Sequence, residues 1–492
     1  MKTLVAIDQS TSATKAVLLG EQGEVLDRAS REHRQIYPQP GWVEHDAEEI
    51  WRNVLETIRE IAGRNESRLH SVAGLSLTNQ RETIVVFERG TGRPLHNAIV
   101  WQCRRGEPIC QRLREAGTEE LVRAKTGLVL DTYFSGSKLK WLADNVPGLD
   151  EKMRRGEALI GTIETYLIYR LTGGAVFATD HTNASRTLLF GIQRLRWDQE
   201  LCALFDVPIQ ALAEVRESAG QFGETDAEGA LPRLIPICGV MGDSQAALFA
   251  QRCFAPGMVK ATFGTGTSIL LNIGQRFQTP GRGVVLALGW VWRGQPTYAL
   301  EGIINCSAAT ITWLTDQMKL IRSADEIEGL VRSVPDNGGV YFVPAFAGLG
   351  APHWAPQARA AIVGLTAFSR REHIVRAAEE AIAYQIFDAL DLMQGNGAPR
   401  LTLLRADGGP TRDSFLMQFT ADITGLELEV SETAETSAWG VAMMGLLGLG
   451  LRHSLEELAA MPRQGRSYRP AMDATKVGEL RSGWRLAVKR VL

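Results

Sequence analysis

Cysteine is scarce in this sequence. There are six in 492 residues, at positions 103, 110, 202, 238, 253 and 306, with no Cys-x-x-Cys pair. Scattered thiols of this kind exclude a disulfide scaffold and a zinc ribbon, and read as reduced cysteines of a cytoplasmic protein. Long apolar runs are missing too. The longest, 441–451, is interrupted by glycine and falls short of the ~18–20 residues of a membrane span. Residues 1–4 enter a strand-like run at once, without a secretory pattern. Neither sign of charge dominates: 53 Lys+Arg stand against 56 Asp+Glu, a formal net charge of −3. That balance leaves no electrostatic footprint for nucleic acid or an anionic membrane. No short repeat or low-complexity tract is present, which excludes solenoids and propellers. Three motifs are absent as well. Without G-x-x-x-x-G-K-[ST] there is no P-loop. Without G-x-G-x-x-G after a strand there is no dinucleotide fingerprint. The eight histidines form no H-E-x-x-H and no pair four apart, so a zinc site is not expected.

What is present is an ordinary globular composition, 45% apolar and 22% charged. At roughly 100–200 residues per domain the length suggests two to four domains. Strand and helix signals alternate, which predicts an α/β architecture. Residues 4–7 read as a buried strand and 16–19 as a second. The hydroxyl-rich link 8–14 between them is too short for a helix, so the pair is a β-hairpin. Asp46 reads as the N-cap of a helix whose apolar face is Ile50, Val54, Ile58 and Ile61. The midpoint repeats the opening: strand 258–263, turn Gly264-Thr265-Gly266-Thr267-Ser268, strand 269–273. Two such hairpins ~250 residues apart suggest two related domains, with the boundary near 245–258. Further on, 339–346 reads as a strand, 372–394 as a long helix, and 401–405 as a strand running into Asp407-Gly408-Gly409. A helix over 412–424, a strand over 426–430 and a small-residue helix near 437–450 follow.

Gly242-Asp243-Ser244 admits three readings. Ser244 as a hydrolase nucleophile needs a histidine base oriented by an acid. The late histidine, His453, has no acid three residues before it. Asp243 at a strand–helix junction, pointing into a cleft, suits a general base that takes a proton from a substrate hydroxyl. The third reading makes Asp243 a plain N-cap. Turn amides in the two hairpins and in Asp407-Gly408-Gly409 form concave anion sites. Asp8 suits Mg²⁺, which takes few carboxylates plus phosphates, and Lys15 suits phosphate. Taken together these turns favour a nucleotide held between two domains. Arg81-Glu82 supplies both a donor and an acceptor for a polyhydroxyl ligand, or else is a surface pair worth ~0–1 kcal/mol. Trp101 and Tyr133 offer flat surface for a carbon chain, or belong to the core.

The run Tyr133-x-Ser135-x-x-Lys138-Leu139-x-Trp141-Leu142-x-Asp144-Asn145 fits the first signature of the FGGY carbohydrate kinases at every defined position. The second is nearly met by Ala360-x-Ile362-x-Gly364-Leu365 with His373-Ile374 and Ala377-Ala378, departing at Glu379, where an apolar residue is usual. The stretches 35–46, 78–83, 98–105, 180–186 and 346–352 resemble the members of that family that phosphorylate glycerol, and the resemblance spans nearly the whole chain.

The resemblance implies an α/β chain of two actin-like ATPase (ribonuclease H-like) domains with a nucleotide cleft between them. Residues 1–250 would carry polyol binding and the phosphate hairpin, and 251–492 nucleotide binding. It implies transfer of the ATP γ-phosphoryl group to a primary hydroxyl of a small polyol, glycerol foremost, with a tetritol, pentitol or ketose as the alternative. ATP and Mg²⁺ are the implied cofactors, with Asp8 near the metal. Asp243 is then the general base. Arg81, Glu82, Trp101 and Tyr133 bind the polyol beside Asp243 and Ser244. Thr11, Ser12, Ala13, Lys15, Thr265, Gly266, Ala308, Thr312, Gly409 and Asp413 attend the nucleotide. A small-molecule substrate is the expected partner, with no nucleic acid and no membrane, and a homo-oligomer, dimer or tetramer, is compatible. Five positions depart from the branch's pattern. Ser244 stands for a glutamine, Ser268 for an aromatic residue, Ala308 for a glycine, Thr312 for a glutamine and Asp413 for an asparagine. The loop 225–233 lacks the glycine-rich arginine motif of a bacterial sugar-bisphosphate inhibitor site.

Overall fold

The computed structural model describes residues 2–492 except 347, 354, 356 and 434, together with all but the side chain of residue 324. Two mixed sheets carry the architecture. In the first the strands lie in the order Gln221–Thr225, Ile235–Gly242, Val72–Asn79, Thr3–Gln9, Ala13–Gly20, Val25–Glu32. The second runs Gly465–Tyr468, Leu428–Ser431, Leu403–Asp407, Met258–Phe263, Thr267–Gly274, Gln295–Ile304, Val285–Trp292. Pairing matches strand for strand. Each sheet has an antiparallel edge, then three parallel strands, then two antiparallel ones. The second sheet adds Val285–Trp292 beyond them. The two hairpins legible in the sequence therefore open two copies of one topology.

Both faces of the first sheet are covered, which is why its central strand runs apolar from Leu4 to Ile7. Val5 and Ile7 face the helix Ala47–Arg64, through Ile50, Val54, Ile58 and Ile61. The Asp46 side chain caps that helix at the Glu48 amide, 2.9 Å away. Leu4 and Ala6 point the other way, onto the helices Asp243–Ala250 and Thr436–Gly448. Leu270, Ala287, Trp290 and Ala299 of the second sheet close the same core from beyond. The molecule is thus layered sheet, helix pair, sheet, and each half of the chain contributes one helix of the middle layer. Those helices touch backbone to backbone: a Cβ on Gly440 would fall 1.8 Å from the Ala246 carbonyl oxygen. Among the described residues no helix is long and apolar enough to cross a membrane.

Several elements differ from their sequence expectation. The ladder of the first hairpin continues to Gln9 and Thr14, so Asp8, expected in the link, faces Lys15 as a cross-strand pair. The expected strand 339–346 is only Tyr341–Val343, because Pro344 has no amide to donate. The expected helix 412–424 is a short 3₁₀ turn, Gly409–Arg412, followed by Ser414–Thr424, since Asp413 caps rather than continues it.

The helix crossing makes a signed prediction. Gly440→Ala should destabilise the protein by roughly 1–3 kcal/mol, as overpacking does. Gly478→Ala, at an exposed position in Ala474–Lys489 with nothing within 4 Å of a new Cβ, should stabilise it by about 0.5–1 kcal/mol. Urea unfolding of both variants checks the pair, and a stabilising Gly440→Ala contradicts the packing.

Candidate active site

In open α/β sheets, ligands sit in the crevice beyond the carboxyl ends of the parallel strands. Three strands of the first sheet end there together. Thr3–Gln9 delivers Asp8, Val72–Asn79 leads into Arg81 and Glu82, and Ile235–Gly242 leads into Asp243. From the second sheet, Met258–Phe263 leads into Gly264-Thr265-Gly266 and Leu403–Asp407 into Gly408-Gly409. Gly408 (φ +102°) lies so close to the second hairpin that a Cβ would stand 1.9 Å from the Phe263 carbonyl oxygen.

Asp243 opens its helix but does not cap it: Gly242 occupies the cap position without a side-chain bond, so the plain N-cap reading does not hold. The Gly242 amide donates to Thr182 Oγ1 at 2.9 Å, and Thr182 in turn donates to the buried Asp180 carboxylate. The junction is thereby pinned from below, while the Asp243 side chain stays 38% exposed. The Arg81 Nε stands 3.4 Å from its Oδ1.

Arg81 and Glu82 are not a surface pair. Both are buried, in an alternating ring of four charges. The Arg81 Nη2 donates to Glu301 at 2.8 Å. The other Glu301 oxygen lies 2.6 Å from Arg186 Nη2. The Arg186 Nε donates to Glu82 at 2.6 Å, and Glu82 lies 3.8 Å from Arg81 Nε. Burial pushes the Glu301 carboxyl up, but Arg186 and Arg81 overcome it and hold it at about 2. For Glu82 burial wins over the same two arginines and its carboxyl is raised. Glu301 and Arg186 are the members of this ring that sequence reasoning missed. The signal was there: Glu301 is a lone acid in the apolar strand Gln295–Ile304, and Arg186 a lone base between Ala184 and Leu188.

Glu82 carries a second mark. Its φ is +62°, and the Thr83 amide bonds back to the Arg81 carbonyl at 2.7 Å. That i→i+2 bond around a left-handed non-glycine residue is a strained γ-turn, of the kind held only where the surroundings over-determine it. The next wall is stitched by Lys138 of the first signature. Its Nζ donates to the Thr132, Tyr133 and Phe134 carbonyls at 2.5, 2.9 and 3.0 Å, and burial lowers its pKa to about 8.

These groups surround a cavity of about 740 Å³. Thr11, Arg81, Glu82, Trp101, Tyr133, Asp243, Ser244, Thr265 and Gly266 all line it, together with Ser268 and Glu301. The Trp101 and Tyr133 rings lie tilted, centroids 5.2 Å apart. Trp101 Nε1 donates to Thr11 Oγ1 at 3.0 Å, tying the wall to the first hairpin tip. Ser244 and Ser268 face each other across the two halves of the chain, hydroxyls 3.5 Å apart.

The remaining expected nucleotide residues do not line that cavity. Ser12 and Ala13 form the first tip, closed by the Ser10 amide on the Ala13 carbonyl at 2.9 Å. The Ala308 amide donates to the Gly264 carbonyl at 3.1 Å, which seats the second tip on the start of the helix Ala308–Asp316. Thr312 lies one turn along it, exposed, with its hydroxyl on the Ala308 carbonyl at 3.2 Å. Gly409 is open to its surroundings. Asp413 is engaged at the Leu416 amide, 3.0 Å away. Buried Glu379 neighbours it, and burial with the adjoining Asp413 raises the Glu379 carboxyl well above its usual range. Both departures from the family pattern in this region therefore meet. Within the resembling stretch 346–352, Ala347 lies outside the described residues.

Burial raises the Asp8 carboxyl to about 7; Lys15 opposes this, and the Asp243 and Glu435 charges add to it. Lys15 itself is held by Glu435 at 3.0 Å. Among the described residues no group of three or more His, Cys, Asp or Glu is arranged to hold a metal ion by itself. A site of one or two carboxylates completed by phosphate oxygens is the arrangement Mg²⁺ ordinarily uses, and crowded acids at Asp8 fit a cation.

The comparisons agree with this geometry. Family models of the FGGY carbohydrate kinases match the chain over residues 3–250 with the N-terminal domain and 259–449 with the C-terminal domain. A glycerol kinase of Desulfitobacterium hafniense is 46% identical over 491 residues, covering 100% of this chain and 99% of its own. Glycerol kinase 2 of Thermotoga maritima is 45% identical over 492 residues, covering 100% and 99%. The crystal structure of Plasmodium falciparum glycerol kinase with ADP superposes with a TM-score of 0.96 at 36% identity, covering 100% of this chain and 98% of that one. A xylulose kinase of Lactobacillus acidophilus, 21% identical with a TM-score of 0.90, shares the fold. The chain belongs to the FGGY family of carbohydrate kinases.

Proposed function

We propose that this protein transfers the γ-phosphoryl group of ATP to a terminal hydroxyl of glycerol, giving glycerol 3-phosphate and ADP. One observation carries the reading. The Asp243 carboxylate stands beside Arg81 in a cavity with Glu82, Trp101 and Tyr133 on one wall and the second hairpin tip on the other. Full-length relatives at 45–47% identity that bear the name glycerol kinase support it.

Asp243 takes the proton of the attacking hydroxyl as general base. That oxygen forms the new bond to the γ-phosphorus, the bond to the β–γ bridging oxygen breaks, and ADP carries away the electron pair. Arg81 orients the carboxylate from 3.4 Å and, with Glu82, addresses the remaining hydroxyls. Trp101 and Tyr133 cover the carbon chain. Turn amides at Thr11–Ala13, Thr265–Gly266 and Gly409 receive phosphate oxygens; Lys15 adds a positive charge, and Ala308, Thr312 and Asp413 line the nucleoside end. Bound at Asp8, directly or through water, Mg²⁺ supplies charge neutralisation of the phosphates. Phosphoryl transfer asks mainly for positioning and charge stabilisation. The halves 1–250 and 251–492 act as the bodies that close on the substrates, excluding water as a competing acceptor.

A second reading is favoured by the serine pair. Two hydroxyls on the cavity wall, with the unpartnered, buried Thr262 Oγ1 nearby, give hydrogen-bonding capacity beyond three carbons. Four-carbon polyols are then substrates as well.

Three expectations follow from these roles. Asp243→Asn should lower kcat by roughly 10²–10⁴-fold, with the glycerol KM little changed; near-full turnover removes Asp243 from its role. Glu301→Gln, isosteric but neutral, leaves two buried arginines against one carboxylate. It should cost roughly 3–5 kcal/mol in urea unfolding, and a loss under about 1 kcal/mol contradicts a closed ring. Ser268→Phe should raise the kcat/KM ratio of glycerol over erythritol, whereas an unchanged ratio defeats the second reading.

A further inference from the structure

A second cavity, about 580 Å³, opens at the far end of the helix Asp243–Ala250 and shares no lining residue with the first. Four arginines line it, Arg252, Arg405, Arg463 and Arg466, against one carboxylate, Glu429. Phe254 and Met461 supply apolar surface.

The arginines are fixed in place. Arg252 is only 8% exposed, and its Nη1 and Nη2 donate to the Ala459 and Pro462 carbonyls at 3.2 and 2.7 Å. Its Nε is buried with no partner. Arg405 Nε donates to Glu429 Oε2 at 2.9 Å, and Arg463 Nη1 donates to the same oxygen. The other arm of Arg463 reaches Gln251 at 2.9 Å, and Gln251 reaches Asp407 at 2.8 Å. Arg466 is tied to the Thr411 carbonyl at 3.0 Å. Carbonyl oxygens satisfy donors but cancel no charge, so one carboxylate answers four guanidiniums.

The cost of that crowding shows on the arginines themselves. Burial, then the charges of Arg463 and Arg405, bring Arg252 down to about 10. Burial and Arg405 lower Arg463 too. A planar guanidinium group in a half-closed pocket is the usual partner of phosphate oxygens, which it binds through paired N–H donors.

We propose that this cavity binds a phosphate-bearing small molecule, its phosphate among Arg252, Arg405 and Arg463 and its apolar part against Phe254 and Met461. The Gln251–Asp407 link places an occupant one step from the Gly408-Gly409 turn beside the nucleotide site.

Calorimetric titration of the full chain with inorganic phosphate and with phenyl phosphate tests this. Glycerol and a non-hydrolysable ATP analogue are kept saturating, so that the active site is occupied. One site is expected, with phenyl phosphate roughly tenfold tighter than phosphate because its ring is buried. Arg463→Gln should weaken both by roughly tenfold or more, the weight of a charge-assisted hydrogen bond. Glu429→Gln removes the competing anion and should tighten both. This gain decides the matter even where Arg463→Gln folds poorly. Absence of binding to the wild type, equal affinity in Arg463→Gln, or unchanged or weaker affinity in Glu429→Gln overturns the proposal.

Discussion

Two arginines and two glutamates, closed into an alternating ring, are the constraint on which the active site rests. Arg81, Glu82 and Arg186 come from the first half of the chain and Glu301 from the second. Taking four charges out of water is costly, and only close geometry offsets it. The ring therefore fixes its members tightly. It holds Glu82 in a left-handed turn that the residue disfavours, aims Arg81 at Asp243, and joins the two sheets directly beneath the cavity. The helix pair Asp243–Ala250 and Thr436–Gly448 does the same from the apolar side. The Asp243 carboxylate sits where these two attachments meet.

Much of this was legible in the sequence because it is local. Short apolar runs and hydroxyl-rich turns located both hairpins, and the first signature located Tyr133 and Lys138. The strand–helix junction at Asp243 was equally plain, but whether Asp243 capped or pointed outward depended on Thr182, some 60 residues away, which holds Gly242. The ring was not legible as a ring, since Glu301 meets Arg81 across 220 positions. Only the oddity of single charges in apolar segments gave a hint. The link 8–14 is too long as a turn because Asp8 looks like a loop residue, yet it pairs across the strands with Lys15. Asp413 was read as a nucleotide contact, and its side chain is also a helix cap.

The molecule handles charge in opposite ways at the two ends of one helix. At the N-terminal end of Asp243–Ala250, acids crowd Asp8 and suit a cation with its phosphates. Beyond its C-terminal end, arginines crowd Glu429 and suit an anion. Between the helices and the second hairpin, Ser244 and Ser268 make the acceptor pocket polar where flat apolar contact is otherwise supplied by Trp101 and Tyr133.

The central claim is that the cavity holds a polyol hydroxyl for phosphoryl transfer while keeping water out. The most direct measurement is ADP release by the purified protein with Mg-ATP, with and without glycerol, alongside phosphorus NMR of the product. ADP release is expected to depend on glycerol and to match glycerol 3-phosphate one for one. ADP release at the same rate without glycerol, or none with it, contradicts this role for the cavity.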